Sequence, residues 1–324
     1  MMGGTVVRSS LHSCVIHEIS EGVYVAQPVP GHGATSNAGI IALGDQALVF
    51  DTFLIPSAAA ELRQAAEELT NSPVKLVVNS HHHLGHIGGN QVFDADTNII
   101  ATTTTRALMA ESVSGALRRH DPQRDCQPTP FNLAGMSTPD LQTHEQYADH
   151  RAFLQALPTM VLRLPNVTYN QQLLIHGRDR RLEIITYGGG HTQSDSVLHL
   201  PDDGVIFLGD LLSIKRHPFL GDGDPGELPR ILDLVTRLEP KSIVPGHGPI
   251  GTLADIQAMQ VYLAMLTETA LTELAFQFED ETELEQKVAK FTVPSPYADW
   301  QRPEFYSENL RFLYQRVMTA YADY

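Results

Sequence analysis

The chain has 324 residues, of which 42% are hydrophobic and 19% are charged, and this composition excludes a disordered or fibrous protein. Its 22 Lys and Arg against 38 Asp and Glu give a net charge of −16, which argues against nucleic acid and anionic membranes as partners, because phosphate groups are bound by clustered Lys and Arg. At roughly 150 residues per domain, the length predicts about two domains or one large α/β unit.

The two cysteines, Cys14 and Cys126, are too few for a disulfide framework, which is typical of a reducing compartment. Residues 1–20 contain no apolar run long enough for the core of a signal peptide. No stretch of about 18 apolar residues, the length of a membrane span, occurs elsewhere. We therefore expect a cytoplasmic protein without a membrane partner.

The first half of the chain predicts strands that alternate with helices. The predicted strands are residues 22–29, 37–43, 46–50, 74–79 and 98–103, and the predicted helices are residues 57–69 and 105–119. The Gly44-Asp45 dipeptide between two alternating strands indicates a hairpin. Ser57 is a suitable N-cap for the first helix, which is rich in Ala and Glu.

Residues 120–165 interrupt this alternation, and the pattern resumes after them. The later predicted strands are residues 171–176, 181–187, 196–200, 205–208 and 242–244, and the later predicted helices are residues 141–157 and 226–238. From residue 253 onward the pattern is mostly helical. Because the chain has no repeat and no convincing linker, we expect one domain over residues 1–256 and a helical extension, residues 257–324, packed on it.

The first domain contains an insertion at about residues 104–165, which is longer than a minimal connection. Long segments of this kind are often lids or binding loops. The insertion is therefore interpreted as a solvated helical segment, as a contact between the subunits of a homodimer, or as a cap over the substrate.

Histidine or aspartate follows four separate strands of the predicted sheets. These residues are His81, His83, His86, His191, Asp210 and His247. In α/β sheets, ligand sites gather beyond the carboxyl ends of the strands, so these side chains are expected to converge. Two His spaced i and i+2 in a tight loop, completed by a third from another loop, leave a zinc ion one open position, as catalytic sites do. The sequence therefore predicts a catalytic metal site, and His82, between two of these ligands, is expected to point away from it.

From about residue 22 to residue 256 these segments resemble the metallo-β-lactamase-fold superfamily. Its signature, His-x-His-x-Asp-His followed by distant His, Asp and His, is met by SHHHLGH, GHTQSDS, FLGDLL and VPGHG. The resemblance implies an αββα sandwich of the α/β class with a helical insertion and a helical C-terminal tail. It also implies a first metal held by His81, His83 and His191, and a second held by His86 and His247, with Asp210 bridging both. Asp51, in VFDT, matches a strand-end Asp that is usually structural in the family.

Gly85 departs from the signature, because the family has Asp at this position. That carboxylate normally ligates the second metal, and Gly supplies no donor atom. Two interpretations follow: the protein works with one tightly held metal, or it holds two, of which the second is labile. We favour an active enzyme whose second metal site is weakened.

The resemblance implies a zinc-dependent hydrolase with one or two Zn²⁺ per chain, in which metal-bound hydroxide attacks a small-molecule ester, lactone, amide or related electrophile. Asp210 then orients the nucleophile and accepts its proton. The alternative is a mononuclear iron-dependent oxidoreductase on the same fold, since His and carboxylate ligands with an open position also suit Fe(II). A metal-binding protein without turnover is a third hypothesis.

Two residues that follow Asp210 are candidates for binding the substrate, namely Arg216 and His217. Arg216 suits a substrate carboxylate, and an ordinary ion pair is an equally good interpretation. Asp222 and Asp224 lie in a Gly-rich run with too few ligands for an EF-hand loop, so this run is interpreted as a turn.

Overall fold

A computed structural model of the chain describes residues 5–8, 11–113, 144–274 and 281–322, and its centre is a pair of β-sheets. The first sheet has eight strands in chain order: β1 (Thr5–Arg8), β2 (Cys14–Ser20), β3 (Val23–Pro28), β4 (Ala38–Ala42), β5 (Ala47–Phe50), β6 (Val74–Val78), β7 (Asn98–Thr102) and β8 (Val167–Tyr169). The second sheet has the spatial order β13 (Ser242–Val244), β12 (Val205–Phe207), β11 (Ser196–Leu200), β10 (Arg181–Thr186) and β9 (Gln172–His176).

Each sheet combines antiparallel and parallel pairs. Strands β1 to β5 pair antiparallel, and β5 to β8 pair parallel. In the second sheet β9 to β12 pair antiparallel, and β12 and β13 pair parallel. Because parallel strands end at the same edge, the segments that follow β5 and β6 start side by side, and so do those that follow β12 and β13.

Eight α-helices flank the sheets in the described part of the chain. They are α1 (Pro56–Thr70), α2 (Leu84–Ile87), α3 (Thr103–Leu108), α4 (His144–Ala156), α5 (Glu227–Thr236), α6 (Leu253–Thr269), α7 (Glu281–Val288) and α8 (Glu304–Ala322). Pro lies at the first position of α1, where its missing N–H leaves no hydrogen bond unmade. Thr252 and Asp255 form a capping box at the start of α6.

The strands are apolar on both faces, because helices or the other sheet cover each of them. In β5, Leu48 and Phe50 face the second sheet, whereas Val49 belongs to the cluster that includes Leu62 of α1. In β12, Phe207 faces the first sheet, whereas Ile206 packs in the cluster with α5 and α6. Buried residues therefore form three layers, one between the sheets and one outside each, and the predicted αββα sandwich is confirmed.

Most predicted elements agree with the structure to within one or two residues at each end. Strands β1, β2 and β8 were not predicted. The helix predicted from about residue 105 to residue 119 begins at Thr103, where the Thr102 side chain accepts a hydrogen bond from Thr105 N, and after α3 it continues as a π-helical turn, Met109–Val113, that was not predicted. The rest of that prediction, and residues 141–143 of the next helix, lie outside the described residues.

The C-terminal helical segments share a core with the second sheet. Trp300 and Leu310 are buried in the same cluster as Ile243 of β13, and the rings of Trp300 and Tyr262 lie 5.0 Å apart. The boundary predicted between residues 256 and 257 falls inside α6, so this helix belongs to both segments. None of the helices in the described ranges is long and apolar enough to cross a membrane.

The shared core predicts that the extension unfolds together with the sandwich. Leu310→Ala, at a fully buried position, is expected to lower the free energy of unfolding by about 2–5 kcal/mol and to keep a single transition in denaturant. Leu271→Ala is the matched control, since Leu271 is 45% exposed and its loss leaves no internal cavity. A separate early transition for the extension would contradict the prediction.

Candidate metal centre

The candidate ligands meet where strands of both sheets end. Asp51 follows β5, the segment with His81, His83 and His86 follows β6, and His191 follows β10. A hydrogen bond of 2.8 Å from Ser196 N to Ser80 O joins the two sheets at this edge. The convergence predicted from strand ends is therefore present in the fold.

A first group of four side chains presents its donor atoms to one point. The ligand atoms of His81, His83, His191 and Asp210 all lie within 4.8 Å of one another. His191 Nε2 is 3.0 Å from His83 Nδ1, and Asp210 Oδ2 is 3.4 Å from His191 Nε2. We call these four residues the first cluster.

A second group shares Asp210 with the first. The ligand atoms of His86, Asp210 and His247 also lie within 4.8 Å of one another. His86 Nε2 is 3.2 Å from Asp210 Oδ1, and His247 Nε2 is 3.2 Å from Asp210 Oδ2. We call these three residues the second cluster, and Asp210 lies between the two clusters.

Gly246 allows the loop with His247 to approach Asp210 closely. A Cβ added at Gly246 would overlap Asp210 Oδ1, and Gly246 N donates to Gly209 O at 2.6 Å. Any other residue at position 246 would therefore push His247 away from the shared carboxylate.

The two clusters fit a metal ion by their buried donor atoms. His81 Nε2 has no hydrogen-bond partner among the described residues, and His86 Nε2 and Asp210 Oδ1 face each other at 3.2 Å without a well-formed hydrogen bond. Leaving polar atoms buried and unpaired is unfavourable by several kcal/mol in total, at about 1–3 kcal/mol for each group. Because imidazole nitrogens and a carboxylate suit zinc and neighbouring transition metals, a bound cation would satisfy all three atoms.

Asp51 fixes the orientation of the second cluster from outside it. Its Oδ2 is 2.7 Å from His86 Nδ1 and accepts a hydrogen bond of 2.7 Å from Ser80 Oγ, while its Oδ1 accepts one from Ser80 N. Ser80 Oγ is also 2.9 Å from His81 Nδ1. Asp51 therefore orients His86 directly, and through Ser80 it also orients His81 of the first cluster, so that each Nε2 faces Asp210.

The loop after β12 orients the first cluster in the same way. Asp222 Oδ2 is 2.8 Å from His83 Nε2, and Phe219 O is 3.0 Å from His191 Nδ1. Sequence reasoning missed the contact of Asp222 with His83 and assigned Asp222 to a turn. Its only sequence signal is the position of Asp222 in the long loop between Asp210 and α5.

The comparison with known families matches residues 33–247 to the metallo-beta-lactamase superfamily. The chain belongs to this superfamily. The metallo-beta-lactamase type 2 of Bacteroides fragilis is 24% identical over 181 residues, which are 54% of this chain and 68% of that protein.

Solved metallo-beta-lactamase structures share the fold at low identity. One from Pontibacter korlensis superposes with a TM-score of 0.58 at 20% identity, covering 77% of this chain and 98% of the other. DIM-1 metallo-beta-lactamase gives a TM-score of 0.57 at 17% identity, covering 78% and 98%. Members of the metallo-beta-lactamase superfamily are typically hydrolases, which agrees with a fold that ends in a cluster of metal-binding side chains.

The histidines of this candidate metal centre differ in their pKa values. Burial lowers the pKa of His191 to about 3 and that of His247 to about 4, so both rings are neutral near pH 7, as metal binding requires. Burial also lowers the pKa of His86, but the charges of Asp210 and Asp51 outweigh it and raise the pKa to about 10. Before metal binds, His86 therefore carries a proton that the cation must displace.

Asp210 stays ionised despite its burial. Burial raises its pKa, but the interactions and hydrogen bonds with the His247 and His86 rings outweigh this effect and hold the pKa well below its usual range. The shared ligand is therefore a carboxylate near neutral pH.

His82 lies outside both clusters, as the sequence analysis expected. It forms a third group with His83 and Asp222, within 4.8 Å, and its buried Nδ1 has no partner among the described residues. Burial lowers the pKa of His82 to about 4, so the ring is uncharged near pH 7.

The two candidate substrate residues lie in different surroundings. His217 is fully buried, with Nδ1 2.6 Å from Tyr262 Oη and its ring 5.6 Å from that of Trp300, so this geometry gives it a packing role. Arg216 is half-buried, and within the described ranges no carboxylate forms an ion pair with it. Its charge helps to lower the pKa of His247, which places it beside the second cluster.

The contacts of Asp51 predict the effect of replacing it. In Asp51→Asn, the amide N–H group cannot accept a hydrogen bond from His86 Nδ1, so we expect zinc affinity to fall about 10–100-fold in the second cluster. Competition with a chromophoric chelator measures this affinity. Asp45→Asn, at an exposed turn, is the matched control, and equal affinities in the two variants would contradict the role of Asp51.

Proposed function

We propose that this superfamily member is a zinc-dependent hydrolase that acts on a small molecule with an ester, lactone, amide or related bond. The observation that supports it most directly is the buried Asp210 carboxylate between two clusters of histidines. His81 Nε2 has no hydrogen-bond partner among the described residues, and Asp210 Oδ1 and His86 Nε2 make no well-formed hydrogen bond, so a bound cation would satisfy all three buried atoms.

Different residues of the chain have different roles in the proposed reaction. A zinc ion bound here lowers the pKa of water towards ~7 and polarises the bond to be cleaved. His81, His83 and His191 hold the ion in the first cluster. Asp210, kept ionised by the surrounding charges, is placed to orient the nucleophile and to accept its proton.

We propose that the first cluster binds its ion more tightly than the second. The first cluster offers three imidazoles and one carboxylate, whereas the second offers two imidazoles and the same carboxylate. Gly85 adds no donor to the second cluster, and the proton on His86 competes with a cation there.

Metal content and single substitutions test this proposal. His83→Ala and His191→Ala are expected to lose the tightly bound zinc and at least about 1000-fold of the activity found in a panel of esters, lactones, amides and thioesters. Elemental analysis and kcat/KM are the measurements, and His176→Ala, at an exposed strand position, is the control. Zinc would support hydrolysis, whereas tightly bound iron in a coloured protein would contradict it in favour of the iron-dependent oxidoreductase.

The surroundings of Arg216 favour a substrate that carries a negative charge. Burial and the charge of Arg302 together lower the pKa of Arg216 to about 10, against the charges of Asp210, Glu304 and Asp149, which raise it. Arg302 has Glu304 as its ion-pair partner. Within the described ranges Arg216 has no such partner, and it lies close enough to His247 to lower the pKa of that ring.

We expect Arg216→Met to raise KM for carboxylate-bearing substrates about 10–100-fold, because a charge-assisted hydrogen bond contributes roughly 1.5–3 kcal/mol. KM for neutral analogues is expected to stay within about twofold. Arg237→Met, at an exposed position at the end of α5, is the matched control. An equal rise for charged and neutral substrates would reject a charge-specific role for Arg216.

A further inference from the structure

The loop between β3 and β4 connects the two segments that supply the second cluster. Ser36 Oγ donates to Gly85 O at 2.8 Å, next to His86. Asn37 N donates to Gly246 O at 2.7 Å, and Asn37 Nδ2 donates to Pro245 O and Gly248 O, on both sides of His247. The position of this loop is therefore fixed relative to both histidines of the second cluster.

Thr35 occupies the space that a side chain at position 85 would enter. A Cβ added at Gly85 would lie 3.0 Å from Thr35 Oγ1, closer than an ordinary van der Waals contact, and no other heavy atom of the surroundings lies as near. The side chain of the Asp that the family signature has at this position would begin at this Cβ. Residue 85 is a glycine, and the oxygen nearest to that Cβ position is Thr35 Oγ1.

The Thr35 hydroxyl is also available as an oxygen donor. Its neighbours Ser36 and Asn37 are buried and hydrogen-bonded to the loops, whereas Thr35 is only half-buried. Across the described ranges, no hydrogen bond engages Thr35 Oγ1. The hydroxyl of Thr35 therefore has its lone pairs and its proton available next to the point where a side chain at position 85 would begin.

We propose that Thr35 supplies the oxygen donor of the second cluster in place of the carboxylate that Gly85 lacks. This inference rests on the proposed zinc centre and deepens it. A hydroxyl is neutral, so Asp210 is the single negative charge among the proposed donors of the second cluster. The second ion is consequently held weakly, and its retention depends on Thr35.

Zinc titration of the metal-free full-length chain tests the inference without any substrate. The probe is zinc chloride, added in competition with a chromophoric chelator, and both stepwise affinities are measured. Thr35→Val keeps the shape and removes the oxygen, so we expect the affinity of the second equivalent to fall at least about tenfold, with the first unchanged. Thr35→Ser is expected to retain wild-type affinity, and Thr104→Val, at an exposed position, is the control.

A double substitution tests whether Thr35 and an Asp at position 85 occupy the same space. Gly85→Asp alone brings its Cβ against Thr35, whereas Gly85→Asp combined with Thr35→Ala frees the space. We expect the double variant to bind the second zinc at least about 100-fold more tightly than Thr35→Ala does, and more tightly than Gly85→Asp alone. If Thr35→Val reduces folding, measured by circular dichroism, the double variant and Thr35→Ser still decide the question.

The outcomes separate this inference from the proposed function. A wild-type chain that binds no zinc tightly would reject the proposed zinc centre itself. If the first zinc equivalent binds tightly and the affinity of the second is equal in wild type and in Thr35→Val, only the role of Thr35 is rejected. A wild-type chain that takes a single equivalent even at millimolar zinc would reject that role as well.

Discussion

The Asp210 carboxylate imposes the main physical constraint on this protein. It is 8% exposed and lies close to four imidazoles, one of which, His86, is protonated near neutral pH without metal. A buried carboxylate is tolerated only when positive charge or hydrogen bonds compensate its lost hydration. Much of the architecture serves to bring the compensating imidazole groups to Asp210 from separate parts of the chain.

The αββα sandwich places these groups around Asp210 at the ends of its strands. Ligands from β6, β10, β12 and β13 converge because both sheets terminate their strands at one edge, with a fully apolar layer between the sheets. Glycines let the loops come close, and Gly246 is the clearest case, since any side chain there would overlap Asp210. The apolar layer fixes the distance between the sheets, and thereby the distance between the two halves of the metal centre.

Around the ligands, a second set of contacts sets the direction of each ring. Asp51 and Ser80 control His86 and His81, while Asp222 and the Phe219 carbonyl control His83 and His191. The second cluster differs from the first in having fewer donors and a neutral residue, Gly85, at its edge. This asymmetry makes metal number and affinity the properties in which this chain is expected to depart from superfamily members that keep the Asp.

The sequence alone indicated the six residues that converge, because strand-end position and the chemistry of His and Asp are local properties. The αββα sandwich was implied by the resemblance of the segments that carry these residues to the superfamily. The interpretation of Gly85 as a departure from the family signature also comes from the sequence and stays a prediction. Strands β1, β2 and β8 were not predicted; β1 and β8 are short strands at the two edges of the sheet, which depend on a single partner strand for their definition. The predicted domain boundary at residue 256 falls inside α6, because this helix belongs to both of the segments that it joins.

Only the tertiary structure decided which distant groups touch the ligands. Asp222 is 139 residues from His83, and Ser36 is 49 residues from Gly85, so neither contact has a periodicity that the sequence could reveal. The same is true of the difference between Arg216 and His217, adjacent in the chain, of which one is half-buried beside the metal centre and the other is enclosed by aromatic rings. Burial and partners are properties of the packed chain, and they arise when segments that are remote in sequence are brought together by the core between the two sheets.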